Sequence, residues 1–200
     1  MPDGTFAAHP ARGGMMGNRG VLHDAGGRLG PARWRHRNWV CCVLSFKGRR
    51  RRIMAPGRYT ELFFLDEATA LAAGHRPCAE CRRADYDRWC AAWARAFGAG
   101  EAAAAMDARL HAARAVPGAR RLRHDGADAD DLPEGAMFAH GGRTFLKHGR
   151  AALPFAPDGY GDAVPLPVGM VAALTNAVAR AVIAAGYVPA LDATALDATA

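Results

Sequence analysis

Residues 62–81 read LFFLDEATALAAGHRPCAEC, and the organisation of the whole chain turns on how that stretch is parsed. Leu62, Phe63 and Phe64 lie in a run of β-formers that begins at Tyr59, so Tyr59–Leu65 predicts a strand. Asp66 then offers a side-chain oxygen to the free amides of a first helical turn. A short helix is expected over Glu67–Ala73, ended by Gly74 in the C′ position and kept from resuming by Pro77. A second helix is expected to start near Cys78–Glu80 and to run to Phe97, because Tyr86, Trp89, Cys90, Trp93 and Phe97 recur at spacings of three and four. That stripe reads as core packing, which makes Cys90 a buried thiol and not a ligand.

Working upstream, WVCCVLSF over Trp39–Phe46 is another run of β-formers, followed by a turn at Lys47-Gly48 and the block Arg49–Met54. With Tyr59–Leu65 these make three candidate strands of an antiparallel meander. Residues 1–38 are rich in Gly, Arg and Pro without periodicity and read as an irregular arm. Downstream, Glu101–Ala115 predicts a third helix of high alanine propensity, ended by Pro117-Gly118, and 118–131 reads as a charged linker. Residues 132–190 change character: short strands at Ala136–Ala139, Thr144–Lys147 and Ala151–Phe155, then a closing helix near Val171–Ala185. The tail 191–200 repeats LDATA and is expected to be disordered. An echo links Ala70–Pro77 with Val182–Pro189, each a helix end followed by Gly, an aromatic ring and Pro. Either two related half-units or the recurring chemistry of helix ends accounts for it. The fold class is therefore α+β, a small meander with helices around a knuckle-like site, followed by a small β-rich unit.

Half of the 200 residues are hydrophobic, enough to bury a real core. No apolar run approaches the length of a bilayer span, and the first residues lack the order of a signal peptide, so a cytoplasmic, non-membrane protein is expected. The five cysteines, at 41, 42, 78, 81 and 90, are odd in number and clustered, which favours metal or thiol chemistry over a disulfide framework. Cys78-Ala-Glu-Cys81 has the C-x2-C spacing that lets two thiolates meet one tetrahedral Zn²⁺ at the start of a helix. The helix end further favours thiolate there. A redox pair would place the motif after a strand in a βαβ unit, which this sequence lacks. Further ligands should come from the strand carrying Cys41 and Cys42, whose side chains face opposite ways. Adjacent cysteines are awkward ligands for one ion, so Cys42 is preferred, with His36 or Cys41 as candidate fourth ligand and His23 after them.

The same residues carry a resemblance. Phe63-Phe64, Ala70, Ala73, Gly74, His75, Arg76, Pro77, Cys78 and Cys81 match the pattern of the zinc-binding N-terminal module of the bacterial Ada DNA-repair protein and its relatives, over about residues 40–85. The resemblance implies a structural zinc ion, an association with DNA and DNA repair, and, in its fullest form, a thiolate that accepts a methyl group from a DNA phosphotriester. The chain departs from that pattern upstream, where Cys41 and Cys42 are adjacent and the following loop is longer, and no helix-turn-helix domain follows.

Net charge is +7, and residues 1–60 hold twelve Arg or Lys against Asp3 and Asp24 only. Lys47, Arg49, Arg50, Arg51 and Arg52 gather close to Cys42 in sequence, Arg58 adds to them, and Arg76 matches the arginine of the module. Such a pole is an electrostatic footprint for nucleic acid, DNA by the resemblance. The competing reading is a solvated edge strand guarded by its charges. An enzymatic alternative rests on Asp107 and His111, i,i+4 on the third helix, with Arg114 near them and His23-Asp24 in a loop: a carboxylate orienting an imidazole is the minimum for general-base hydrolysis. No Walker loop, nucleophile elbow or H-E-x-x-H supports it.

Overall fold

The computed structural model describes residues 1–49 and 52–198. The chain is α+β, with two sheets and five helices among the described residues. The first sheet is built from β1 (Met15–Asn18), β2 (Val40–Val43), β3 (Leu62–Phe64) and β4 (Arg76–Pro77) in the order β3-β1-β2-β4. β1 is antiparallel to both neighbours, whereas β4 runs parallel to β2. The arm expected over 1–38 thus supplies the strand that separates the two β-former runs, so among the described residues of this sheet they are not neighbouring strands of a meander. Gly17 makes this possible: a Cβ there would stand 2.7 Å from the Val40 carbonyl oxygen and 2.9 Å from the His75 ring. In the middle candidate strand, Arg49 and Arg52–Met54 lie in loop and turn, and Arg50 and Arg51 fall outside the described residues.

Between β3 and β4 lies α1 (Glu67–Ala72), whose N-cap Asp66 accepts from the Thr69 amide at 2.8 Å. Then come α2 (Arg83–Phe97) and α3 (Ala103–Arg114). Trp89 and Trp93 of α2, both 0% exposed, pack with Met106 and Leu110 of α3 in one apolar cluster, with Cys90 partly buried against it.

The second sheet has seven strands: β5 (Asp125–Asp128), β6 (Met137–His140), β7 (Arg143–His148), β8 (Ala151–Ala156), β9 (Gly159–Tyr160), β10 (Val164–Pro165) and β11 (Met170–Ala173). Its pairings are all antiparallel. The chain closes with α4 (Ala177–Ala184), which joins the α2–α3 cluster through Val182 and Ile183, and α5 (Ala193–Asp197).

The charged segment 118–131 contains β5, paired along its length with β11, so it is an edge strand and not a free linker. The helix expected from Val171 starts only at Ala177, because Asn176 caps it by accepting from the Ala179 amide at 3.1 Å, while residues 170–173 are held as β11. The tail expected to be disordered holds α5, capped by Asp192 and anchored by the fully buried Ala195. The echo has a local cause: His75 N–H bonds Ala70 O and Tyr187 N–H bonds Val182 O, with Gly74 and Gly186 both at positive φ. Two helices end in the same Schellman arrangement.

The two sheets are joined at the first turn of α1. Asp66 accepts from the Tyr160 hydroxyl at 2.9 Å and the Asp192 amide at 3.1 Å. Glu67, 0% exposed, accepts from the Tyr187 hydroxyl at 2.6 Å and the Ala190 amide at 2.9 Å.

Candidate metal centre

The parallel register of β2 and β4 sets the site. Val40 pairs with Arg76 and Cys41 with Pro77, so the next residues along, Cys42 and Cys78, come level on one side of the sheet. The Cys78 amide donates to the Cys41 carbonyl at 3.0 Å, which extends the pairing by one bond. A tight turn then carries Cys81 back, and the Arg82 amide bonds the Cys78 carbonyl at 3.1 Å. The three sulfurs of Cys42, Cys78 and Cys81 all lie within 4.8 Å of one another and are half-buried. A tetrahedral ion with Zn–S bonds of about 2.3 Å separates its sulfurs by about 3.8 Å. The donor set therefore fits a thiophilic ion with little movement.

The backbone supports the same reading. The amides of Glu80 and Cys81 donate to the Cys78 sulfur, and the Val43 amide donates to that of Cys81. Oriented N–H groups stabilise thiolate. The Cys42 thiol donates to Cys78 as well, and this bond leads the effects that bring Cys78 down to about 5. Cys42 is pushed up by giving that bond and by burial, and Cys81 is raised mainly by burial. Metal ligation requires thiolates, so an ion bound by these cysteines would displace the protons their thiols hold.

Cys41 faces the other way. It is 1% exposed, packs with Phe64, Ala70 and Ala73, lies 3.3 Å from the Met15 sulfur, and burial pushes its thiol up to about 12. His36 bonds the Asn18 side-chain oxygen through Nε2 at 3.1 Å. Neither belongs to the cysteine group, and among the described residues no fourth Cys, His, Asp or Glu joins it.

The sequence-based site residues are distributed as follows. Lys47, Arg49, Arg52 and Arg58 are exposed, and Arg49 donates to Glu80 at 2.6 Å, inside the C-x2-C turn, which places Arg49 beside the cysteine turn. Arg76 is corrected: it is 4% exposed and grips Asp107 through two bonds of 2.8 Å, which leaves it no access to a polyanion. Asp107 is thereby taken from His111, which stands edge-on to Trp34 and Trp39 at 5.7 Å each. Burial and the Arg114 charge bring His111 down to about 4. His23 bonds the Thr60 hydroxyl at 2.6 Å and Asp24 binds the segment 26–28. The hydrolytic constellation is not assembled.

Sequence reasoning missed Arg82. It donates from the residue after Cys81 to Glu67 at 2.8 Å and to Asp85 at 2.6 Å. Its position after a C-x2-C carried no signal; an acidic residue at the start of an otherwise apolar helix did, because a buried carboxylate requires a partner.

No family model matches the chain, and no curated protein or solved structure matches it. Among the described residues no helix is long and apolar enough to cross a membrane.

Proposed function

We propose that Cys42, Cys78 and Cys81 hold a zinc ion and that the module around it binds nucleic acid, as its resemblance to the Ada metal-binding module implies. The observation that carries the reading is the meeting of three half-buried sulfurs within 4.8 Å, two of them receiving backbone N–H bonds. Three thiolates and a fourth position filled from outside the described protein ligands favour Zn²⁺ over oxygen-loving cations. The ion's role is structural: it ties β2 to the turn before α2, so its binding energy adds to folding energy. Arg49, held at the cysteine turn by Glu80, and the exposed Lys47, Arg52 and Arg58 of the neighbouring segment supply phosphate contacts.

The test is metal content per chain together with a salt titration. Purified wild type should carry about one zinc, lost in C78S and C81S. A labelled oligonucleotide should bind with an affinity that falls steeply with salt, and K47E/R49E/R58E should weaken it. Zinc-free protein isolated under reducing, chelator-free conditions would sink the metal reading. Affinity indifferent to salt would sink the nucleic-acid reading. Protein that instead gains a methyl mass on a cysteine from phosphotriester-methylated DNA would place it among alkyl acceptors.

A further inference from the structure

A second concave site lies away from the cysteines. Asp3, Gly4, Thr5, Arg33, Val116 and the run Arg120–His124 line a cleft of about 440 Å³. Its walls are fixed by three contacts: the Arg33 amide donates to the Ala119 carbonyl at 2.7 Å, Ala115 and Leu122 form an isolated β-bridge, and Gly4 packs so closely on Leu122 that a Cβ would come within 2.4 Å of it. The turn between the bridge residues uses Gly118 and Ala119 at positive φ, which sets out the arginines that follow it.

The charges there are unbalanced. Arg33, Arg120, Arg121 and Arg123 line the cleft, and none has an ion pair among the described residues. The single carboxylate, Asp3, is occupied by the Thr5 amide and hydroxyl at 2.9 and 2.7 Å. His124 gives one ring nitrogen to the Asp3 carbonyl and leaves Nε2 buried without a partner. By contrast, most arginines of α2 and α3 have carboxylate partners: Arg83 with Asp87, Arg88 with Asp85, Arg109 with Glu101. Packing does not require guanidinium groups at 120, 121 and 123, which are exposed, and their mutual repulsion opposes the arrangement.

We propose that this cleft binds a phosphate group. Guanidinium forks match phosphate oxygens in pairs, several converging arginines make a multidentate clamp, and the cleft volume lies in the range of small-ligand sites. The phosphate can come from a nucleic-acid backbone or from a small phosphate ester, and both sources present the same oxygens. The proposal stands independently of the metal and of the basic segment at 47–58.

The experiment measures the full-length protein against pyrophosphate by calorimetry and against a labelled single-stranded oligonucleotide by anisotropy, comparing wild type with R120E/R121E and K47E/R49E/R58E. All substituted residues are exposed, so the variants should keep the wild-type circular dichroism. The expected result is that R120E/R121E weakens at least one probe by about tenfold or more and, for the oligonucleotide, flattens the salt slope by roughly 1.4, at about 0.7 per lost phosphate contact. Loss confined to the oligonucleotide identifies a backbone site, and loss of pyrophosphate alone identifies a small-ester site. Wild type that fails to bind the oligonucleotide refutes the nucleic-acid reading, while the pyrophosphate arm still decides this one. Binding of both probes unchanged in R120E/R121E, or absent in wild type, overturns the proposal.

Discussion

Glu67 and Arg82 pair at 2.8 Å with side chains 0% and 3% exposed. Arg82 follows Cys81 directly, and Glu67 also receives the Tyr187 hydroxyl and the Ala190 amide, so the cysteine turn and the C-terminal unit are fastened to one carboxylate. The pair is a junction between parts of the chain that are more than 100 residues apart in sequence.

Removing the charge of Glu67 tests that junction. Glu67→Gln keeps the volume but leaves a buried guanidinium with Asp85 as its remaining acid. Breaking a buried pair costs about 3–5 kcal/mol, and the surviving partner places this case near the lower end, about 3 kcal/mol. Urea denaturation of wild type and variant at neutral pH measures it. A loss under about 1 kcal/mol would show that the junction is not a strong contributor.

The adjacent cysteines should separate cleanly. Cys42→Ser removes a sulfur from the metal group and should abolish stoichiometric zinc, whereas Cys41→Ser should keep it. The second variant instead buries a hydroxyl among Phe64, Ala70 and Ala73 and should cost about 1–3 kcal/mol. Metal analysis alongside denaturation distinguishes them, and equal zinc loss in both would contradict the opposed facing of the two side chains. In the same series, chelator treatment of wild type should lower its Tm, with recovery on adding zinc.

His75 should set part of the acid limb of stability. It is 1% exposed, neither ring nitrogen has a partner, and burial with the charges of Arg19 and Arg114 holds it well below its ordinary value. The unfolded chain therefore takes up a proton near pH 6.5 that the folded chain refuses. Its contribution is fully present above that pH and is lost as pH falls through it, by up to about 1.4 kcal/mol per pH unit. His75→Phe should flatten the fall between about pH 6.5 and 5, and should stabilise the fold by about 1 kcal/mol by removing unpartnered polar atoms. His36, His111 and His124 are also lowered and retain the remainder of the limb. Urea midpoints across that range decide it, and an unchanged slope in the variant would rule His75 out as a contributor.

What the sequence disclosed follows the physics of each element. α1 and α2 carried caps and an aromatic stripe, which are local signals, and they formed within a few residues of the expected bounds. The alternation of a strand already set Cys41 and Cys42 on opposite sides. β1 was invisible, because Met15–Asn18 has no period of its own and is a strand only through the two neighbours that flank it. β5, with the sequence DGAD, opposes strand propensity and exists as an edge recruited by β11. Asn176 and Asp192 are residue types that cap helices, so the starts of α4 and α5 have local signals in the sequence. The role of Arg76 needed a partner 31 residues away, which no local pattern discloses.

That partner gives the last prediction. Arg76 and Asp107 form two bonds of 2.8 Å with side chains 5% and 7% exposed, joining β4 to α3 beside Tyr86, whose ring lies 5.3 Å from the guanidinium. Arg76→Ala strands a buried carboxylate and should cost about 3–5 kcal/mol, whereas Arg76→Met with Asp107→Leu, which removes both charges and keeps most of the volume, should recover much of that loss. A contact to nucleic acid would behave differently: its removal would weaken binding and lower the salt slope by about one per phosphate, with little change in stability. Denaturation of the single and double variants, with oligonucleotide affinity normalised to folded protein, separates the two roles. Recovery of stability in the double variant with unchanged affinity assigns Arg76 to the scaffold; a loss of affinity that the double variant fails to restore returns it to the binding surface.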